Sequence, residues 1–237
     1  MSASPLPLAG TPFSEQAKAA FRELVSSPDF PCLGAKAAFN ANAHTIASFG
    51  ELGSMAATDN LAVALYDFTS PTTGSLNHEY ATFIAVFEGP SDLTEIEFEG
   101  LFWRQLRLLH AHDAIHFGWN EQVASDPDDP HFSFSFGGHA LYVIGMHANS
   151  SREARRFPWP VMVFNPHEQF ERLRTDGKWK RMQESIRHRD LQLQGSINPM
   201  LSDFGVQSEA RQYAGRAVDD QWRAPFSAAA GKCPFAH

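Results

Sequence analysis

The stretch Phe132-Ser133-Phe134-Ser135-Phe136-Gly137-Gly138, running on into Ala140-Leu141-Tyr142-Val143-Ile144-Gly145-Met146, decides the class of fold. Aromatic and serine residues alternate with a period of two, which predicts a half-buried strand. The Gly-Gly pair turns the chain, and the apolar run behind it supplies the second strand of a hairpin. Upstream, Thr82–Glu88 (TFIAVFE) reads as a buried strand ended by Gly89-Pro90, and downstream Val161–Phe164 reads as another short strand.

Helices surround these strands in the sequence. Ser14 is a candidate cap for a helix carrying Ala17, Ala20, Phe21 and Leu24 at helical spacing. Phe30–Phe39 enters a second short helix, and a third is predicted between Glu51 and Phe68. The most regular helix runs from about Thr94 to Asp113, with Phe98, Leu101, Phe102, Leu106 and Leu109 on one face and acids near its positive end. Asn165 and Pro166 open a further helix to Arg174, and a polar one spans Lys178–Arg189. Residues 190–237 are rich in Gly, Pro, Ser and Gln and read as a loop-rich wrap. The expectation is one α+β domain over residues 14–237 behind a flexible tail of residues 1–13. Its sheet is small and largely antiparallel, and helices flank it.

Composition narrows the function classes. The 237 residues carry 19 basic and 27 acidic side chains, a net charge of −8, which argues against a nucleic-acid partner or a polybasic membrane-surface role. No apolar run approaches the roughly 18 residues a bilayer span needs, and no signal peptide opens the chain. A cytoplasmic location is expected, with Cys32 and Cys233 as free thiols. Twenty Phe against four Tyr point to an apolar interior or pocket.

Nucleotide-binding glycine loops, a serine-nucleophile elbow, an H-E-x-x-H helix and C-x-x-C pairs are all missing. His110 and His112 sit near a helix C-terminus, where the dipole favours them structurally. His147 follows the ALYVIGM strand and precedes Arg152, Arg155 and Arg156. A strand-end imidazole, Phe-rich walls and three guanidinium groups are the parts a haem site uses, although strand-end histidines and arginine clusters are also common surface features. His167, in the helix-opening Phe164-Asn165-Pro166-His167, is a second candidate ligand. Cys32 and Cys233 each adjoin proline, and Cys32 reads either as a thiol ligand or as a small buried hydrophobe. Arg211 and Tyr213 either contact a ligand or tie down the wrap.

Several blocks together resemble the YqcI/YcgG family: FPCLGAKAAF at 30–39, LFWRQL at 101–106, DPDDPHFSFSF at 126–136 and HANSSREARRFP at 147–158. FNPHEQFERLR at 164–174, ARQY at 210–213 and the terminal KCPF extend the resemblance over nearly the whole chain. In particular the chain looks like the subgroup containing haem-dependent N-hydroxylases of the pre-guanitoxin type. That resemblance implies non-covalent haem b and an oxygenase that hydroxylates a guanidine or amine nitrogen of a small cationic substrate. It implies His147 as iron ligand, with His167 and Cys32 in reserve, and Arg152, Arg155 and Arg156 near the propionates. Arg211 and Tyr213 join them as candidate cofactor contacts. Glu88, with Asp126 or Asp128, is expected to hold the substrate cation. Dioxygen or peroxide and an external reductant or redox partner complete the reaction, since no flavin or iron–sulfur motif is encoded. A homodimer is compatible with this reading. The alternative is a haem carrier or a gas or redox sensor without turnover, and a further rival is a metal-free pocket protein.

Overall fold

The hairpin forms as its period requires: β3 (Phe134–Phe136) pairs antiparallel with β4 (His139–Met146). Gly137 and Gly138 make the turn with φ of +59° and +77°, values that glycine alone adopts without strain. Strand β4 then pairs with β5 (Val161–Pro166), and β5 with β2 (Thr82–Gly89), both antiparallel. The structure is a computed structural model that describes residues 12–72, 76 and 78–228.

One strand was not predicted. β1 (His44–Glu51) runs parallel to β2 at the sheet edge, giving the order β1-β2-β5-β4-β3. The sheet is therefore mixed, with three antiparallel pairs and one parallel pair. The third helix, α3 (Met55–Thr69), begins later than expected because Glu51 completes β1 and Ser54 supplies the cap to Ala57 N–H.

Strand alternation divides the core into two layers. Phe83, Ala85 and Phe87 of β2, with Leu141 and Val143 of β4, face α3 and α4 (Glu95–Asp113). Ile84, Val86, Ile144, Met146 and Val163 face the opposite way, towards α1 (Phe13–Ser26) and α2 (Leu33–Asn40). Helices α5 (His167–Thr175) and α6 (Trp179–Gln194) cover the rest of that second face. Helix α4 starts with the reciprocal Thr94–Glu97 capping box, which satisfies two otherwise unpaired N–H groups.

Two helix starts and one helix end differ from expectation. Pro12, not Ser14, stands at the N-cap of α1, so Phe13 of the expected tail is already helical. Asn165 belongs to β5 and Pro166 takes the cap of α5. The polar helix runs on to Gln194, where Gly195 ends it at φ +75°. The wrap packs against β4 and contains a short helix, α7 (Ala210–Tyr213). Residues 1–11 of the expected tail and the Cys233-Pro234 pair lie outside the described residues.

Candidate functional site

Between the second sheet face and the helices α2, α5 and α6 lies a cavity of about 300 Å³. This is at the lower end of the range for small-molecule sites. Its walls are mainly apolar, among them Phe21, Phe39, Ile144, Met146, Phe170 and Trp179. Four candidate residues from the sequence reach it: Cys32, Arg152, Arg155 and His167.

Cys32 is the N-cap of α2, and its Sγ accepts the Ala35 N–H at 3.4 Å. Burial pushes the thiol pKa up, while the N–H groups of Ala35 and Gly34 and the charges of Arg155 and Lys36 pull it back. The surface Cys32 still exposes belongs to the cavity wall. The thiol thus meets two thiolate-favouring features, a helix N-terminus and neighbouring cations, in a dry setting that opposes them.

Arg155 donates to three backbone carbonyls: Nη1 to Gly145 at 3.0 Å and Tyr213 at 3.1 Å, and Nη2 to Gln212 at 3.0 Å. It has no carboxylate partner among the described residues. Burial pulls its pKa below the ordinary value, against the influence of Tyr142, Cys32 and Asp190. Arg187, which the sequence reading passed over, also lines the cavity without an ion-pair partner among the described residues. Arg152 is committed elsewhere: Nη2 meets Asp190 at 2.5 Å and the Ser196 carbonyl at 2.8 Å. Arg156 is exposed, outside the lining, and donates to the Ser150 carbonyl.

His147 stands apart from this group. Two residues beyond Gly145, it shares the α4-facing side of β4, where its ring stacks on Phe98 at 4.4 Å. Burial lowers its pKa, against the influence of Glu95 and the Leu93 backbone. The sheet separates it from the cavity, so His147 and Cys32 cannot serve one ligand there.

His167 opens α5 and is buried at the cavity wall. Its Nε2 lies 3.3 Å from Glu171 Oε1, and its Nδ1 is 4.0 Å from Glu209 Oε2. Burial lowers its pKa and Glu171 raises it. With a carboxyl group towards each nitrogen, the ring is poorly placed to ligate iron. Glu209 itself was missed by sequence reasoning. It is buried on the cavity wall, takes the Tyr213 hydroxyl, and has its pKa raised to about 8 by burial despite the hydrogen bond from Tyr213. Tyr142 donates to Gln212 Oε1 at 3.0 Å on the same wall, and burial pushes its pKa well up.

The other candidates are structural or remote. Tyr213 sits in the α3/α4 layer, where its hydroxyl joins the Phe134 N–H and the Leu141 carbonyl. Arg211 is outside the cavity lining and holds the wrap through the Val218 and Asp219 carbonyls. Glu88 is exposed near the end of β2 and outside the lining; from Ile84, which does line the cavity, it is roughly 13 Å along the strand. Asp126 and Asp128 belong to an exposed turn. His110 packs against Trp119 and Phe226, and His112 against Tyr66, consistent with structural roles. Among the described residues, no three His, Cys, Asp or Glu side chains gather as a metal cluster. No helix there is long and apolar enough to cross a membrane.

Comparison with known proteins bears on the whole of this arrangement. The chain is 29% identical over 217 residues to the uncharacterized protein YqcI of Bacillus subtilis (strain 168), covering 87% of this chain and 80% of that one. No solved structure matches. The family model described as "YqcI/YcgG family" matches residues 21–227, which takes in every wall of the cavity, and the chain therefore belongs to that family.

Proposed function

We propose that this protein is a haem-dependent oxygenase that hydroxylates a nitrogen of a small cationic substrate, with haem b held non-covalently between the sheet and α6. One observation carries the reading: the Cys32 thiol faces an apolar-walled cavity from a helix N-cap, beside the half-buried, carboxylate-free cation of Arg155. The residue types on the walls fit the group, while the cavity, at about 300 Å³, is smaller than a porphyrin and would have to widen to take it. A porphyrin needs apolar walls, its iron a basic side chain, and its two propionates cationic donors; Cys32, Arg155 and Arg187 meet those needs.

In this reading Cys32, rather than His147 or His167, holds the iron. When bound, the haem supplies the redox chemistry that activates dioxygen or peroxide. The chain's own residues do the rest. The Ala35 N–H and the Arg155 charge stabilise negative charge on Sγ. Arg187 and the free edge of Arg155 receive propionates, while the Arg152–Asp190 pair fixes α6 over the cavity. The Phe and Ile walls exclude water. Electrons come from an external reductant or redox partner.

Hemin titration of the purified protein tests this. We expect a Soret band, and, after reduction under carbon monoxide, the red-shifted band that thiolate ligation gives. Cys32→Ser should lose that band, while His147→Ala should keep it. A protein that takes up no hemin overturns the proposal. Hemin uptake without any product heavier by one oxygen, across arginine, alkylguanidines and amines, would favour the carrier or sensor.

A further inference from the structure

At one end of the cavity a bare imidazole nitrogen of His167 faces the carboxyl group of Glu209 with no hydrogen bond between them. His167 directs Nε2 at the Glu171 carboxylate, 3.3 Å away, so that nitrogen carries the hydrogen and Nδ1 presents its lone pair. This Nδ1 is buried and has no hydrogen-bond partner. The Glu209 Oε2 atom lies 4.0 Å from it, too far for a direct hydrogen bond. The other Glu209 oxygen is taken by the Tyr213 hydroxyl. His167 and Glu209 are only 7% and 5% exposed, and both line the cavity.

The charges around the pair leave it short of a cation. From α5 it is faced by Glu168, Glu171 and Arg174, from α7 by Tyr213, and from the sheet by Ser133 and Tyr142. Arg174 is bonded to Glu171, so no protein cation is bonded to Glu209. A buried carboxyl group and a bare imidazole nitrogen, spaced for a bridging donor, suit a ligand nitrogen carrying several hydrogens. The nearby Phe170, Leu173 and Phe204 offer apolar surface for the remainder of such a ligand.

We propose that this end of the cavity is a subsite for the protonated nitrogen head of the ligand, a guanidinium or primary ammonium group, held between Glu209 and His167. Its role as a substrate subsite rests on the oxygenase reading, and it gives Glu209 the part that Glu88 was expected to play. A guanidinium donates along its planar edges, so one N–H can reach Glu209 Oε2 while another reaches His167 Nδ1. Burying such a cation is costly unless a carboxylate accompanies it, and Glu209 is the acid that pairs with no protein cation here.

The test is calorimetry of the full chain with butylguanidine and its neutral isostere butylurea, with and without hemin. Butylguanidine should bind saturably and at least about tenfold more tightly than butylurea, the scale of one charge-assisted hydrogen bond. Glu209→Gln keeps the shape and the Tyr213 contact, and should abolish that preference while circular dichroism and hemin uptake stay unchanged. Absence of the preference in the wild type, or its persistence in folded Glu209→Gln, overturns the subsite; the wild-type comparison needs no variant to fold. Hemin uptake in the same samples separates the two proposals. Uptake without cation preference overturns the subsite alone, and cation preference without uptake overturns the haem reading and leaves the subsite standing.

Discussion

Arg155 concentrates several demands in one side chain, because its guanidinium satisfies three carbonyls from two separate segments and its charge also helps to lower the thiol pKa of Cys32 against the effect of burial. Lysine would keep the charge but not the planar fork. Arg155→Lys should therefore cost about 2 kcal/mol in urea unfolding, whereas Arg155→Gln, which removes the charge, should also slow the alkylation of Cys32 at neutral pH by raising its thiol pKa. Gly145 is constrained differently: an added Cβ would lie 2.7 Å from Phe98 Cε1, inside the stack that Phe98 makes with His147. Gly145→Ala should destabilise by about 1–3 kcal/mol, read by the same method. Glu209 makes a pH prediction. Its folded pKa, raised to about 8, exceeds the unfolded value, so the folded state binds the extra proton. The resulting stability is fully present below about pH 4.5 and is lost as pH rises through about 8. His167, whose pKa burial lowers, acts in the opposite sense, and only below about pH 6.5. Between about pH 6.5 and 8 stability should fall by up to about 1.4 kcal/mol per unit, and Glu209→Gln should flatten that slope.

At the scale of elements, the Arg152–Asp190 pair ties the 3₁₀ turn at Glu153–Arg155 to α6. Both side chains are about nine-tenths buried, so Asp190→Ala leaves an uncompensated charge. It should cost about 3–5 kcal/mol and raise hydrogen exchange first in α6. The same elements show what the sequence could disclose. The Phe-Ser alternation and the Gly-Gly turn made the hairpin legible, and the acids and apolar face of α4 did the same for that helix. Strand β1 was not legible, since His44-Thr45-Ile46-Ala47-Ser48 has no clean alternation and is held at an edge by pairing with distant β2. Cys32 stood out by its proline neighbour, and Arg155 by its cluster. The face that His147 takes was also latent in the chain, through its parity with Gly145 and Val143. Which face holds the cavity was not, because α6 begins only at Trp179, well beyond the strand that leads into His147. Glu209 looked like any surface acid in a polar segment, and only the packing of the wrap buries it.

For the molecule as a whole, one sheet serves two layers that differ in kind. The α3/α4 layer is filled by aromatic side chains from Phe98 to Phe226, while the α1/α2/α6 layer keeps a cavity. A ligand filling that cavity would bind only the folded state and stabilise it by mass action. Hemin at 100 times its dissociation constant should add about 2.7 kcal/mol, seen as a rise in the melting temperature, and Cys32→Ser should reduce that rise. The three carbonyls on Arg155 carry a consequence for the order in which this protein comes into being. Two of them belong to Gln212 and Tyr213, which follow every strand and α6 in the sequence. A nascent chain that has already made Cys32, the whole sheet and α6 still lacks the segment that anchors the cation beside the thiol. The cavity takes its final electrostatic form only once Gln212 and Tyr213 have been made and have folded back onto Arg155, so whatever needs that form arrives after the sheet and α6 are already in place.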